Sequence, residues 1–381
     1  MTTTDTGTPA ATPSPPQTPL TVDDIAQWAA TELEPEVWDF VCGGAGDEST
    51  LQLNRTDLAN IRLVPRVLRD VAHPSTHTTL LGTPAAMPVA VAPMAYQRLI
   101  HPHGELAVAR ACKRAGIPFT VSALTSTPID QLAATGATLW AQLYWFTDRA
   151  RVGELLTQAE QAGCRAVVLS VDMPRMGRRL RDIRNDFTLP AGLASGADAA
   201  GLAAAGTRPG SSIARHTDTI MDAQLNWDDI EWLSRQTVLP VVLKGILDAR
   251  DAALAAEFGV DAIVVSNHGG RQFDGAPSTI GALPAVLDAV ADRCPVLIDS
   301  GFRSGLDILR AMALGAGGVL LGRPILYGLV GGERGVELTL SVLREELLDA
   351  MTHTGCADLR AAADLASVIS EGLLPAPAAL T

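Results

Sequence analysis

The sequence predicts an α/β protein whose eight parallel strands alternate with helices and close into a barrel. Short apolar runs, typical of strands buried on both faces, recur from residue 89 onward. They cover residues 89–93, 118–122, 138–143, 166–171, 239–243, 261–265, 295–299 and 317–321. Helix-like segments separate them, among them 104–115, 149–162, 248–257, 282–291 and 304–314. Eight strands, with no GxGxxG motif after the first, favour a (β/α)8 TIM barrel over an open doubly wound sheet.

An N-terminal extension precedes the barrel. Residues 1–19 are mostly Thr and Pro and are expected to form a disordered tail. Residues 21–60 are predicted to be helical, and Thr21 followed by Asp24 is typical of a capped helix start. The sequence therefore predicts a helical extension ahead of the first barrel strand.

The interval between the fourth and fifth apolar runs is much longer than the others. Residues 190–218 within it are rich in Ala, Gly and Ser, and a loop of this length is usually a lid or disordered. We expect a long lid loop after the fourth strand. No linker separates a second domain, so one barrel domain is predicted over 20–365, followed by a C-terminal tail over 366–381.

Composition excludes several classes of protein. The chain of 381 residues carries a formal net charge of −13, which argues against a nucleic-acid or anionic-membrane surface. Five scattered cysteines form no CxxC pair, so neither disulfides nor a metal site is indicated and a cytoplasmic location is expected. No Lys or Arg precedes Arg55, so the basic start of a signal peptide is missing. Prolines interrupt the uncharged stretch 71–97, which favours loop and strand over a membrane span.

The most informative motif follows the sixth apolar run and reads Ser266-Asn267-His268-Gly269-Gly270-Arg271-Gln272. Gly269 and Gly270 can adopt backbone angles that other residues avoid. That freedom lets His268 and Arg271 point into one space. A base beside a planar cation suits a small carboxylate that loses a proton or hydride next to its anionic group.

Polar side chains follow most of the other runs, and active sites of such barrels lie where the strands end. The residues are Ser122, Gln142, Tyr144, Ser170, Asp172, Lys244, Ser266, His268, Asp299, Gly322 and Arg323. Lys244 is one of only two lysines and is expected to end its strand. Each residue has an alternative interpretation: the serines and Asp299 as helix caps, Gln142 and Tyr144 as buried polar groups, Asp172 as a turn former.

Two loops indicate a site for an anionic group. Gly301-Phe302-Arg303-Ser304 follows the seventh run and Gly322-Arg323-Pro324 the eighth. Loops at these places commonly bind phosphate through backbone N–H groups and a helix N-terminus, and Arg303 and Arg323 would neutralise it. A phosphate loop at 41–47 is also possible, but a structural turn is favoured there because no strand precedes it.

Four further features are assigned no chemistry. Asp274-Gly275 is interpreted as a turn. His101, His103 and His216 are interpreted as loop or lid residues.

With these motifs the chain resembles the FMN-dependent 2-hydroxy-acid oxidase and dehydrogenase family, which includes glycolate oxidase, lactate oxidase and mandelate dehydrogenase. The resemblance spans about residues 20–360 and is most specific at 266–272. The runs 171–179, Leu243-Lys244-Gly245 and Gly322-Arg323-Pro324 support it. It implies a bound FMN and oxidation of an (S)-2-hydroxy acid to a 2-oxo acid.

The resemblance also implies roles for individual residues. His268, paired with Asp172, is the base; Arg271, Arg179 and the Tyr144 hydroxyl hold the substrate carboxylate; and Lys244 stabilises the anionic reduced flavin. The residues implied to contact the flavin, its ribityl chain or its phosphate are Ala92, Pro93, Ala95, Ser122, Gln142, Ser170, Lys244, Ser266, Asp299, Gly301, Arg303, Gly322 and Arg323. The expected partners are a small 2-hydroxy acid and an electron acceptor, and such barrels often form homotetramers.

The chain departs from the family pattern at three places. Phe40 stands where a substrate-binding Tyr is common, and Leu124 where glycolate oxidase has Trp. Both changes suggest a larger, apolar or aromatic substrate. The usual Asp-Gly-Gly is Asp299-Ser300-Gly301. Segments 95–99 and 176–182 look similar to those of hydroxymandelate oxidases.

Alternative functions remain open from the residues alone. The enzyme could be a dehydrogenase or a lactate- or glycolate-type oxidase of the same family, with oxygen, a quinone or another compound as acceptor. A Schiff-base aldolase using Lys244 is a more distant alternative. A flavin enzyme with other chemistry, such as an isopentenyl diphosphate isomerase, would have no use for the Arg271 and Arg179 pair.

Overall fold

The computed structural model describes residues 18–190, 192–193, 211–369 and 372–373. The expected disordered tail therefore lies almost wholly outside the described residues. So does most of the Ala/Gly-rich part of the expected lid loop. The described part of that connection contains three helices, Leu180–Arg184, Ser212–Ile220 and Trp227–Gln236.

Eight parallel strands close into a barrel, as the sequence predicts, and we number them β1 to β8 in chain order. They are Val89–Val91, Phe119–Val121, Leu139–Leu143, Val167–Ser170, Val241–Ile246, Ala262–Val265, Val296–Asp299 and Gly318–Leu321. Each strand pairs with its neighbours in sequence, and β8 pairs with β1. The carboxyl ends of all eight strands consequently meet at one mouth of the barrel.

The expected end of β5 at Lys244 is wrong. The strand continues to Ile246, and Lys244 pairs with Ser170 of β4 and Val264 of β6. The register shifts between Lys244 and Ile246, where Gly245 has a φ of 119°. A glycine inside a strand often marks a bulge, so Gly245, which directly follows the expected end, lets the strand bend and continue.

Helices pack around the outside of the barrel. They are Val22–Glu32, Pro35–Cys42, Ser49–Asn60, Gly104–Ala115, Ile129–Ala133, Arg149–Gln161, Leu180–Arg184, Ser212–Ile220, Trp227–Gln236, Ala249–Glu257, Thr279–Val290, Gly305–Ala313, Arg323–Leu329, Gly332–Thr354 and Leu359–Ala363, with a 3₁₀ turn at Gln97–Leu99. The first three form the predicted extension, and Thr21 and Asp24 make a reciprocal capping box. In the part of the chain that the structure describes, no helix is long and apolar enough to span a membrane.

Two small sheets lie outside the barrel. Thr78–Leu80 pairs with Thr83–Ala85. Ile61–Leu63 pairs with Ser367–Ile369, which in turn pairs with Gly372–Leu373. Strand pairing thus continues beyond residue 365, where the sequence places the end of the domain, because the backbone of Ile61–Leu63 offers an edge to which the chain returns.

The barrel interior is a packed core rather than a channel. Trp140 of β3 is fully buried and shares a cluster with small residues of other strands, such as Ala90, Ala166 and Ala262. The same cluster contains Val242, Val264 and Leu297, so side chains fill the interior of the closed barrel. The cavity that gathers the predicted site residues lies at the mouth instead.

The two helices after β8 pack closely at Gly335, and substituting this glycine tests that packing. A Cβ on Gly335 would lie 1.9 Å from the carbonyl oxygen of Gly328, so the helices Arg323–Leu329 and Gly332–Thr354 must separate. We expect Gly335→Ala to lower the free energy of unfolding by about 1–3 kcal/mol in urea unfolding. Gly153→Ala is the control. Gly153 lies in the helix Arg149–Gln161, and a Cβ added there would meet nothing within 4 Å outside that helix. This change should stabilise the protein by about 0.5–1 kcal/mol. Equal effects of the two changes would contradict this account.

Candidate active site

A cavity opens at the carboxyl ends of the strands. Its walls come from the extension, from the loops after β1, β2, β3, β4, β6, β7 and β8, and from the helix Ser212–Ile220. The residues predicted from sequence that line it are Phe40, Ala92, Pro93, Ala95, Leu124, Tyr144, Arg179, Lys244, His268, Arg271, Asp299, Gly301, Arg303, Gly322 and Arg323. The structure therefore gathers most of the predicted site in one place.

His268 and Asp172 form the predicted pair. Nδ1 of His268 lies 3.0 and 3.1 Å from the two carboxylate oxygens of Asp172. An ionised carboxylate only accepts hydrogen bonds, so Nδ1 carries the proton and Nε2 keeps a lone pair. Burial alone would raise the pKa of Asp172, but His268 and Lys244 hold that pKa below its ordinary value. His268 is thus oriented as a base by a carboxylate that remains charged.

The backbone around the base is unusual. His268, Gly269 and Gly270 have φ angles of 58°, 68° and 72°, all in the left-handed region. Ser266 supports this turn because its hydroxyl accepts a hydrogen bond of 3.0 Å from the N–H of His268. A Cβ on Gly270 would lie 2.7 Å from the backbone of Leu51, which no side chain tolerates. Gly270 therefore allows the helical extension to approach the turn that aims the imidazole.

Two arginines lie in the wall, of which Arg179 is buried and Arg271 is half-buried. Arg271 donates from Nη1 to the carbonyl oxygens of Phe40 and Gly43 at 2.9 and 2.7 Å. Arg179 is buried, and its Nε has no hydrogen-bond partner among the described residues. Burial, and then the charge of Arg179, lower the pKa of Arg271 to about 9. Two desolvated cations with unused donors favour an anionic ligand beside them.

Tyr144 lies in the same wall. Burial, and then the charge of Asp172, raise the pKa of Tyr144 to about 12. The phenol therefore stays protonated at neutral pH and can donate a hydrogen bond.

Lys244 and Asp299 form an ion pair in the floor of the site. Nζ of Lys244 lies 2.9 Å from Oδ2 of Asp299 and donates to the Ser266 hydroxyl at 2.9 Å. Burial would lower the pKa of Lys244, but Asp299 and Asp172 outweigh it and raise the pKa. The ammonium is therefore a fixed positive charge, which argues against the aldolase alternative because a Schiff base begins with a neutral amine.

The loops after β7 and β8 partly match the expected phosphate site. Arg303 and Arg323 both line the cavity, and a side chain at Gly322 would meet only the Met94 sulfur, at 3.8 Å. Burial, and then Arg271, lower the pKa of Arg323 to about 9. Arg323 also donates to the carbonyl oxygens of Val41, Gly43 and Gly269, so it anchors loops as well as lining the cavity.

The sequence predicted that the N-terminus of the helix after β7 would bind an anionic group, but side chains of the protein already bond to its N–H groups. The backbone N–H groups of Arg303 and Ser304 donate to Asp307, and that of Gly305 donates to Glu346. These two carboxylates already occupy the N-terminus of Gly305–Ala313. Glu346 comes from a distant helix, so the sequence carried no sign of it.

Three predicted residues at neighbouring strand ends bond to one another instead of lining this cavity. The Gln142 amide nitrogen donates to the Ser170 hydroxyl at 3.2 Å. The Gln142 amide oxygen accepts from the Ser122 hydroxyl at 3.3 Å and from the Ala123 N–H at 3.0 Å. Their role in holding a cofactor remains a prediction.

Part of the cavity wall is apolar, and the sequence predicted only some of the residues in this apolar wall. Phe40 stacks on Phe187, with ring centroids 4.9 Å apart and an interplanar angle of 12°. Leu124 lies in this wall as expected, whereas four further lining residues were missed, namely Met173, Met176, Ile213 and Thr217. Met173 and Met176 lie within the run 171–179, but nothing in the sequence brings Ser212–Ile220 to the cavity.

The remaining expectations concern packing. Residues 41–47 form a structural turn, since the N–H of Ala45 donates to Gly270 and that of Gly46 donates to Arg178. The Asp274 carboxylate accepts from Asp47, Ser49 and Thr50, so it holds the start of Ser49–Asn60. His216, interpreted as a loop or lid residue, is buried in the helix Ser212–Ile220, which contributes Ile213 and Thr217 to the cavity wall.

The fold and the site define a barrel enzyme that places a carboxylate-paired histidine beside buried cations able to hold an anionic substrate. Among the described residues, no group of His, Cys, Asp or Glu is arranged to hold a metal ion. The chain belongs to the FMN-dependent dehydrogenase family, whose model matches residues 29–367. It is an FMN-dependent oxidoreductase that acts on the CH–OH group of 2-hydroxy acids.

Known relatives share most of the chain. A 4-hydroxymandelate oxidase of Amycolatopsis orientalis is 47% identical over 345 residues, covering 90% of this chain and 96% of that protein. An L-lactate oxidase of a Nostoc species is 43% identical, covering 90% and 96%. The crystal structure of a mandelate oxidase with (S)-4-hydroxymandelic acid superposes with a TM-score of 0.89 at 44% identity, covering 93% of this chain and 100% of that one.

The residues present fit FMN. An anionic tail matches the two arginines beside Gly322, and the fixed ammonium of Lys244 can stabilise a ring that becomes anionic on reduction. The buried Nε of Arg179, which has no hydrogen-bond partner among the described residues, can donate to a bound ligand. FMN supplies a two-electron acceptor when bound, which the side chains of this site do not provide.

Proposed function

We propose that the enzyme oxidises a bulky aromatic (S)-2-hydroxy acid, such as mandelate or 4-hydroxymandelate, to the 2-oxo acid, with oxygen as the final electron acceptor. The apolar wall that lines the cavity together with Arg179 and Arg271 carries this proposal. An acid with a ring would place its carboxylate on the cations and its ring on Phe40, Leu124 and Met176. Glycolate would leave that apolar surface without a partner. The names of the relatives above give mandelates and lactate as substrates, and an aromatic mandelate is the one that suits the apolar wall.

The side chains have separable roles in this reaction. Arg271 and Arg179, with the Tyr144 hydroxyl, hold the carboxylate and fix the orientation of the α-carbon. Nε2 of His268 accepts the proton that the substrate loses, and Asp172 stabilises the imidazolium that forms. The Lys244–Asp299 pair provides a positive charge where negative charge develops in the cofactor. We assign the cofactor contacts to the loops around Ala92, Pro93 and Ala95 and to those after β7 and β8.

Location and assembly belong to the same proposal. The five cysteines are free, which suits a reducing cytoplasm. A homotetramer is proposed from the family resemblance, and light scattering of the holoprotein would measure it. A mass other than that of four chains would contradict the proposed tetramer without affecting the proposed reaction.

A substrate panel tests the proposed specificity. We expect kcat/KM for mandelate and 4-hydroxymandelate to exceed that for lactate and glycolate by at least about 10-fold, because burial of a ring stabilises binding. Anaerobic bleaching of the flavin measures substrate oxidation, and reoxidation in air measures the use of oxygen. Preference for lactate or glycolate would favour the rival oxidase types. Slow reoxidation in air would indicate a dehydrogenase.

Leu124→Trp tests whether the apolar wall sets this preference. A larger side chain at residue 124 should crowd an aromatic ring and lower kcat/KM for mandelate by at least about 10-fold. Activity on lactate should change much less, because its methyl group does not reach the wall. Leu53→Trp, at an exposed position, is the control for adding the same side chain elsewhere. Parallel losses on both acids would contradict the proposed placement of the ring.

A further inference from the structure

Ser300 stands where the family pattern has glycine, and its backbone shows the reason for that glycine. Its φ is 76°, in the left-handed region that a residue with a Cβ rarely adopts. Such conformations cost on the order of 1 kcal/mol or more and persist where the surrounding structure holds them. A serine at this place therefore needs a compensating interaction.

The compensation is visible in the hydrogen bonds of the side chain. The Ser300 hydroxyl donates to Oδ1 of Asp299 at 2.7 Å. The Ser300 hydroxyl oxygen also accepts a hydrogen bond of 2.9 Å from the N–H of Gly269. The other carboxylate oxygen of Asp299 lies 2.9 Å from Nζ of Lys244. One hydroxyl thus connects the Lys244–Asp299 ion pair to the turn that carries His268.

We infer that Ser300 is a positioning residue, which orients Asp299 toward Lys244 and holds the turn after His268 against the floor of the active site. The inference rests on the proposed role of Lys244 and Asp299 at the cofactor. A hydrogen bond to Asp299 also shares part of its negative charge. Without it, the carboxylate would neutralise the ammonium more completely and make the anionic reduced flavin less stable.

The test compares Ser300→Gly, Ser300→Ala and wild-type holoenzyme. Both changes remove the hydroxyl, whereas only glycine relieves the backbone strain. We expect both variants to have a more negative flavin midpoint potential, by about 30 mV, which is a tenfold change in the reduction equilibrium of a two-electron couple. We also expect kcat/KM to fall by about tenfold, because the turn carrying His268 loses a contact.

Asp292→Gly is the matched control. Asp292 also has a left-handed φ, of 61°, and is exposed in the turn before β7, far from the carboxyl ends of the strands. Asp292→Gly should change the melting temperature through the same relief of backbone strain and leave the flavin midpoint potential unchanged. Ser300→Gly should differ from it in the potential.

Several outcomes decide the matter. If Ser300→Gly keeps the wild-type potential, whatever its melting temperature, the serine is only tolerated and the inference is wrong. Should Ser300→Ala fail to fold, Ser300→Gly still decides, since glycine suits this backbone. Lys244→Met separates the inference from the proposed function. If Lys244→Met leaves the midpoint potential unchanged, the proposed role of Lys244 is wrong. If Lys244→Met shifts the potential but the Ser300 variants do not, the inference about Ser300 is wrong.

Discussion

Replacing His268 with alanine is expected to lower kcat/KM by about 10²–10⁴-fold while FMN remains bound. The loss follows because Nε2 is the only position at which the Asp172-paired imidazole can accept the substrate proton. Removing a positioned base has this effect in general. The change leaves Gly322, Arg303 and Arg323 in place, so FMN should stay bound and the flavin absorption spectrum should persist. Stopped-flow reduction of the flavin by mandelate measures the step directly.

A second variant separates the lost base from a disturbed backbone. His268 has a left-handed φ of 58°, which alanine tolerates poorly but asparagine adopts more readily. His268→Asn should keep the turn and still lack the base, so its rate should be as low as that of His268→Ala. His103→Ala, at an exposed position, should retain wild-type activity. Turnover of His268→Asn within about threefold of wild type would remove His268 from the mechanism.

Replacing Arg271 with lysine is expected to lower kcat/KM for mandelate by about 10²–10³-fold, chiefly through KM. Removing one partner of a desolvated charge pair costs about 2–5 kcal/mol. Lysine keeps the charge but loses the planar fork, and it cannot both hold the carbonyl oxygens of Phe40 and Gly43 and reach a carboxylate. Steady-state kinetics with the (S)-acid measures the change.

The neutral amide of mandelate distinguishes a lost carboxylate contact from a general disturbance. Wild-type enzyme should use the amide poorly, and Arg271→Lys should lower that activity much less than it lowers activity on the acid. Arg250→Lys is the control, because Arg250 is exposed and forms an ion pair with Asp248, which lies just before its own helix. If the amide and the acid lose activity equally in Arg271→Lys, Arg271 supports the loops rather than the substrate.

Local signals in the sequence were sufficient for the fold and for the chemical centre. The rhythm of apolar runs predicted all eight barrel strands, because burial on both faces leaves a continuous apolar segment. Thr21 and Asp24 marked the first helix through a bond spanning three residues. His268 and Arg271 were recognisable because two glycines separate them directly after a strand. These features depend on residues close together in the chain.

Contacts between distant parts of the chain decided the rest. The continuation of β5 past Lys244 depends on a bulge at Gly245, and the occupied N-terminus of Gly305–Ala313 depends on Glu346. The apolar wall needs Ser212–Ile220 to fold over the mouth.

By itself the sequence determined that this chain forms a parallel barrel and that polar side chains such as His268 and Arg271 gather at its mouth, since period and strand ends are local properties. Only the tertiary structure decided which donors stay unused and which acids are paired. Contacts such as those of Lys244 with Asp299 and of Gly269 with Ser300 join residues whose separation in the chain carries no record of their distance in space.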